Sequence, residues 1–195
     1  MQSSALEMLE AGVASASGRG RGEALASLGC YFAQMGDLAR AEEIRENLKR
    51  EFSTSDAPRV AIRIMILEAV IAFYATRNEL AIDRIRRARA VAIACELRDL
   101  EMEIAVWFAH FAFNFELYED FGSALQIALR GFVDLPDRFR ARLCLSIADA
   151  NQYLGALGVS DQWYKFSRIF SRRAHDLVLN TTIEHNRLII GLARY

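Results

Sequence analysis

The stretch LASLGCYFAQMGDLARA, residues 25–41, decides the fold. Gly29 and Ala41 stand twelve positions apart, with Gly36 between them as a helix stop. Leu25, Leu28, Phe32 and Leu38 surround this small pair. The run FAHFAFNFELYEDFGSA, residues 108–124, repeats the arrangement at the same offsets: Ala112 with Ala124, set among Phe108, Phe111, Phe115 and Phe121. Ala69 with Ala81 and Ala148 with Ser160 are weaker copies, so the pattern returns about every 36–43 residues. Two helices joined by a tight turn approach closely, and the distance between their axes depends on the side chains at the contact. A small residue on each helix removes the obstacle, and large apolar residues fill the space around it. Self-similarity at this period marks stacked antiparallel helix pairs.

Outward from these units, Leu6, Leu9 and Val13 give residues 3–16 the spacing of an amphipathic helix. Ser15 to Gly22 reads as a flexible joint. Helices are expected over 22–36 and 37–52, the second with Leu38, Ala41, Ile44 and Leu48 on one face and charges on the other. STSDAP, residues 53–58, offers Ser55 or Asp56 as a cap and places Pro58 in a first turn. Further helices are expected at 57–77, 79–96, 98–117, 120–133 and from 137 to about 154. Ser160 or Asp161 would cap one running to about 177, and Asn180 or Thr181 would cap the last. No long alternation of polar and apolar residues suggests a strand. The chain therefore reads as all-α, about ten helices in a single domain, 1–195: an N-terminal helix and joint (1–21), helix pairs at 22–56, 57–97, 98–136 and 137–178, and a terminal helix (179–195).

Residues 25–41 and 108–136 resemble tetratricopeptide repeats. Each has a large apolar residue, an apolar–small pair, an aromatic and, after the turn, an alanine; the second unit closes on Pro136. The pattern departs from the family at Ala72, Asn78 and Asn151, and its spacing exceeds the usual repeat of about 34 residues. The resemblance covers most of 22–177. It implies a right-handed α-solenoid of antiparallel helix pairs that binds its partner on the concave side, as in the arms of large bacterial regulators. Counting outward from the small crossing residues, the groove-facing set is Gln34, Arg63, Tyr74, Phe113, Asn114, Glu116, Arg142, Asp149, Gln152 and Tyr153. Asp149, Gln152 and Tyr153 are spaced to share one helix face. Arginine, carboxylate, amide and tyrosine together suit a protein or peptide segment.

Composition narrows the classes. Lys+Arg number 24 against Asp+Glu 25, which gives no general attraction to nucleic acid or to acidic membranes. The excess of arginine over Lys49 and Lys165 fits a bacterial composition. No apolar run reaches membrane-spanning length, and the N-terminus carries Glu7 and Glu10 with no basic leader, so a cytoplasmic protein is expected. Cys30, Cys95 and Cys144 are far apart in apolar helical stretches and read as buried thiols.

Catalysis has little support. His110, His175 and His185 stand in no metal-binding spacing, and no nucleophile elbow, phosphate loop or dinucleotide fingerprint is present. Neither a cofactor, a metal nor an enzymatic activity is expected. His110 and Asn114 read as a polar pair on one helix face. Arg84, Arg86, Arg87 and Arg89 read as a solvated face held by short-range ion pairs, and Arg138, Arg140 and Arg142 receive the same discount. The aromatic third unit reads as the middle of the stack. The expected function is a helical-repeat module that binds a protein or peptide in its groove, as the regulatory part of a larger signalling protein. The alternatives are a small-molecule or signal-peptide sensor arm, which an enclosed pocket between units two and four would favour, and a structural oligomerisation module. Ile183, Leu188, Ile189, Ile190 and Leu192 make the last helix a poor solvent-facing cap, which suggests a homodimer through this end or a further domain beyond it.

Overall fold

The computed structural model describes residues 4–52 and 57–193, without the side chains of residues 190–193. Ten α-helices and no strands are found among them: α1 (Ala5–Ser15), α2 (Gly18–Gln34), α3 (Leu38–Glu51), α4 (Pro58–Tyr74), α5 (Asn78–Ala94), α6 (Arg98–Asn114), α7 (Tyr118–Arg130), α8 (Asp137–Tyr153), α9 (Leu157–Arg173) and α10 (Leu177–Ala193). The helices pair as α2/α3, α4/α5, α6/α7 and α8/α9. The first helices of the pairs, α2, α4, α6 and α8, also pack against one another in succession. One apolar core runs through α2 to α8, and a second joins α8, α9 and α10.

The small residues sit at these contacts. Ala41, Ala69, Ala81, Ala112, Ala124 and Ala148 are all buried. A Cβ on Gly29 would lie 2.9 Å from Leu67 of α4 and 3.2 Å from Ile44 of α3, so this glycine admits the next pair as well as its own partner. The weakest copy is the most direct contact: the Ser160 hydroxyl donates to the Ala148 carbonyl at 2.8 Å across α8 and α9. Ser167 repeats this one helix turn pair further on, donating to the Ala141 carbonyl at 2.7 Å.

Helix boundaries follow a rule that the sequence hid. Helices begin every 20 residues from Gly18 to Tyr118, and again from Asp137 to Leu177. At six of these starts the residue before the new helix donates its N–H back to the last turn of the old one. Asp37 reaches Phe32 at 2.9 Å, Arg77 reaches Ala72 at 2.8 Å, Leu97 reaches Ala92 at 2.9 Å and Leu117 reaches Ala112 at 2.8 Å; Ala156 to Asn151 and Asp176 to Ser171 repeat the bond. This is the Schellman closure, which needs a left-handed residue one position earlier. Glycine supplies it at Gly36 (φ 84°) and Gly155 (φ 75°), but Thr76, Glu96, Glu116 and His175 hold φ of 53–60° without being glycine. A left-handed L-residue costs about 1–2 kcal/mol. Glu96→Gly and Glu116→Gly are therefore expected to stabilise the fold by about 0.5–1 kcal/mol each, since part of the gain is lost to the freer unfolded chain. Thermal unfolding of each variant checks this.

These turns shift the expected boundaries. The proposed joint at 15–22 shrinks, because Gly18 to Gly22 form the start of α2. Packing overrides propensity there: Gly22 lies so close that a Cβ would be 2.9 Å from the Phe52 ring. Helix α9 starts at Leu157 rather than after Ser160 or Asp161, and α10 is capped by Asp176, whose Oδ1 accepts from the Leu179 N–H at 2.9 Å, rather than by Asn180 or Thr181. Pro58 does open α4; the Ser55 and Asp56 caps lie outside the described residues. Cys30 and Cys144 are buried, but Cys95 is exposed, because it falls in the turn that ends α5. Trp107, Phe108 and Phe111 are buried in the middle of the stack, and Phe111 stacks on Phe73 of α4 at 4.6 Å. At the far end Ile183 is buried, while Leu188, Ile189 and, on α9, Phe166 and Ile169 are exposed. None of the described helices is long and apolar enough to cross a membrane.

Candidate ligand pocket

The inner face of the arc is not an open groove. Helix α1 lies across it and reaches the α9–α10 turn, where the Ala5 N–H donates to the His175 carbonyl at 3.1 Å. Below α1, the Arg142 guanidinium on α8 donates to the Gln34 side chain on α2, joining the first and fourth pairs. Between these elements lies a half-open cavity of about 330 Å³. Met8 and Leu9 of α1 cover it. Ala26, Ser27, Cys30, Tyr31 and Gln34 of α2, Arg63 and Ile66 of α4, Trp107 of α6, Arg138, Phe139 and Arg142 of α8 and the buried Asp176 line it.

Three guanidinium groups enter this cavity, and each is held differently. Arg63 is committed to Glu103 of α6 by two hydrogen bonds, one of them at 3.2 Å, and lies 3.7 Å from Glu23. Burial alone would lower the Arg63 pKa, and the Glu103 carboxylate reverses it to a net rise. One helix turn away the rung repeats: Arg59 binds Asp99 at 3.1 and 2.6 Å and Glu23 at 3.2 Å. Both rungs join residues 40 positions apart, so they follow the repeat. Arg142 stacks over the Trp107 ring at 4.0 Å. Arg138 lies 4.7 Å from the Phe139 ring; among the described residues it makes no hydrogen bond or ion pair, and Glu103 and Asp176 act on it only through longer-range charge. Burial pushes its pKa down. The Cys30 thiol in the same wall is pushed up to about 12 by burial, so it stays protonated.

Of the ten residues assigned to the groove from sequence, Gln34, Arg63 and Arg142 line this cavity. The other seven do not. Asp149 and Gln152 turn toward α9 and α10, where the buried Tyr164 hydroxyl donates to Asp149 and lies 2.7 Å from the Gln152 side-chain oxygen, and Asn186 donates to Asp149 at 3.0 Å. Burial raises the Asp149 carboxyl. Tyr153 is exposed and stacks on Tyr118 at 5.9 Å, with Phe113 edge-on at 6.4 Å. Tyr74 packs edge-on against Phe73 at 5.1 Å. Asn114 donates to the His110 carbonyl of its own helix at 2.7 Å, and Glu116 is an exposed turn residue. The His110–Asn114 pair is thus a helix-end bond rather than a side-chain contact, and the His110 Nδ1 is buried without a partner. Arg138, Tyr31, Trp107 and Asp176 were missed. Their signal was weak, since the basic group at 138–142 resembles a solvated face. In the other arginine cluster only Arg87 has the expected short-range pair, with Asp83 at 2.9 Å; Arg84 reaches the buried Glu68 of α4 at 3.3 Å and Arg86 reaches Asp120 of α7 at 2.6 Å, while the Arg89 Nε is buried with no hydrogen bond among the described residues.

Among the described residues no group of three or more histidine, cysteine, aspartate or glutamate side chains is placed to hold a metal ion. Comparison of the chain with protein-family models, with curated proteins and with solved structures gives no match.

Proposed function

We propose that the protein is a helical-repeat recognition module, a right-handed tetratricopeptide-like solenoid, that takes a small ligand into the cavity beneath α1. The volume and lining of this half-open cavity carry this reading. A space of about 330 Å³ with apolar walls and a few convergent polar groups is in the range of small-molecule sites. A long peptide laid along the inner face would have to displace both α1 and the Arg142–Gln34 contact. The regulatory role expected from the repeat resemblance fits a sensor whose ligand locks the first and fourth pairs together. Helix α1 is the natural cover: Ala5 alone is buried on it, with Leu6, Leu9 and Val13 half-buried against the core.

The test uses N-phenyl-1-naphthylamine, a neutral dye that fluoresces in apolar surroundings. The full chain is expected to bind one dye per molecule. Ser27→Trp, which places an indole in the cavity, is expected to weaken binding at least tenfold with no loss of thermal stability. Equal binding to both proteins, or to neither, removes the pocket reading.

A further inference from the structure

We propose that the ligand of this cavity is a small organic anion, an acid with an apolar body whose oxyanion is received by Arg138. The inference rests on the pocket reading above and adds the chemical class. The cations at the cavity are unequally satisfied. Arg63, Arg138 and Arg142 line it, and Glu23, Glu103 and Asp176 lie around them. Glu103 is spent on Arg63. Asp176 is spent in part on the Leu179 N–H, which its Oδ1 caps at 2.9 Å. Arg142 has the Gln34 amide oxygen and the Trp107 face. Arg138 is left with a phenyl ring and an opening into the cavity.

A half-buried guanidinium that finds no acceptor is costly, and its natural complement is a planar oxyanion held by two parallel hydrogen bonds. Further donors converge on the same space. The Tyr31 hydroxyl makes no hydrogen bond to any described residue, and burial and Asp176 hold its pKa up, so it remains a donor. The start of α8, where Pro136 lines the cavity and no side chain caps the helix, adds the positive end of a helix dipole. The apolar part of the lining is Met8, Leu9, Ala26, Ile66 and Phe139. The donors therefore suit an oxyanion, and the apolar lining suits an aryl or alkyl body.

The experiment compares two dyes on the full chain: the sulfonate 1-anilinonaphthalene-8-sulfonate and the neutral N-phenyl-1-naphthylamine. The sulfonate is expected to bind one per chain. Arg138→Gln is expected to weaken it about 10–100-fold, the worth of one charge-assisted bond, and to change the neutral dye less than threefold. Arg138→Lys should restore part of the loss. The carboxylate 4-phenylbutyrate should displace the sulfonate, and its amide should not. Suppose the neutral dye binds and is blocked by Ser27→Trp, yet Arg138→Gln leaves sulfonate affinity within twofold. The anion assignment is then wrong while the pocket stands. Suppose instead that neither dye binds at a single site. Both readings then fall together.

Discussion

Glu103→Ala is expected to destabilise the protein by about 3–5 kcal/mol, the largest loss anticipated for one substitution in the inner row. Glu103 is 6% exposed, and its carboxylate takes both hydrogen bonds of the Arg63 fork. Removing it leaves a buried cation whose nearest remaining carboxylate, Glu23, is 3.7 Å away and shared with Arg59. The penalty comes from the orphaned charge rather than from the worth of the pair. It follows that Arg63→Met combined with Glu103→Leu should recover most of the loss, because a well-packed apolar pair often replaces a buried ion pair at no cost. Urea denaturation of the single and double variants separates the two explanations. If the double variant were as unstable as Glu103→Ala, the site would depend on the charges themselves. The outer rung behaves differently. Arg59 and Asp99 are partly solvated, so Asp99→Ala should cost less than about 1 kcal/mol.

The second large effect is acid lability through His110. Burial and, after it, the Arg142 charge hold the folded imidazole down at about 3, against 6.5 for the free group. In the unfolded chain His110 takes up a proton near pH 6.5; in the folded chain it does so only near pH 3. Between those values the unfolded state binds more protons, so stability is full above about pH 6.5 and is lost as the pH falls toward 3. The slope approaches 1.4 kcal/mol per pH unit, and the loss at pH 4.5 is about 2–3 kcal/mol. His110→Phe keeps a ring beside Phe73, which lies 5.1 Å away, and removes the proton site. Its stability is expected to change less between pH 7 and 4.5 than that of the parent by that amount. Parallel curves for the two proteins would mean that the imidazole is open to water.

The architecture was legible in the small residues. Gly29, Ala41, Ala112 and Ala124 mark contacts that backbone geometry forces to be close, so their spacing survives in the sequence. The turns were less legible, because left-handed residues announce themselves only when they are glycine. Gly36 gave its helix end; Thr76, Glu96, Glu116 and His175 did not, and helices drawn through them ran too long. The pocket was legible only in part. Face counting finds residues that point inward on one helix, so it reached Gln34, Arg63 and Arg142. It cannot see how far an arc bends, and the bend brings α2 within reach of α8 across 108 residues. Nor could it place α1, which packs on α2 and also bonds the turn at the far end of the chain. Asp149 and Gln152 shared a face as expected, but that face meets Tyr164 and Asn186.

The half-open cavity itself is tested most directly by Cys30. With Cys95→Ser and Cys144→Ala, Cys30 is the one thiol of the chain, and it lies in the cavity wall. Its alkylation by iodoacetamide at pH 9 is slow, because burial holds the thiol at about 12, but it is measurable by mass. Saturation with N-phenyl-1-naphthylamine is expected to slow that alkylation at least tenfold. An unchanged rate on the dye-loaded protein would place the ligand elsewhere and contradict the pocket.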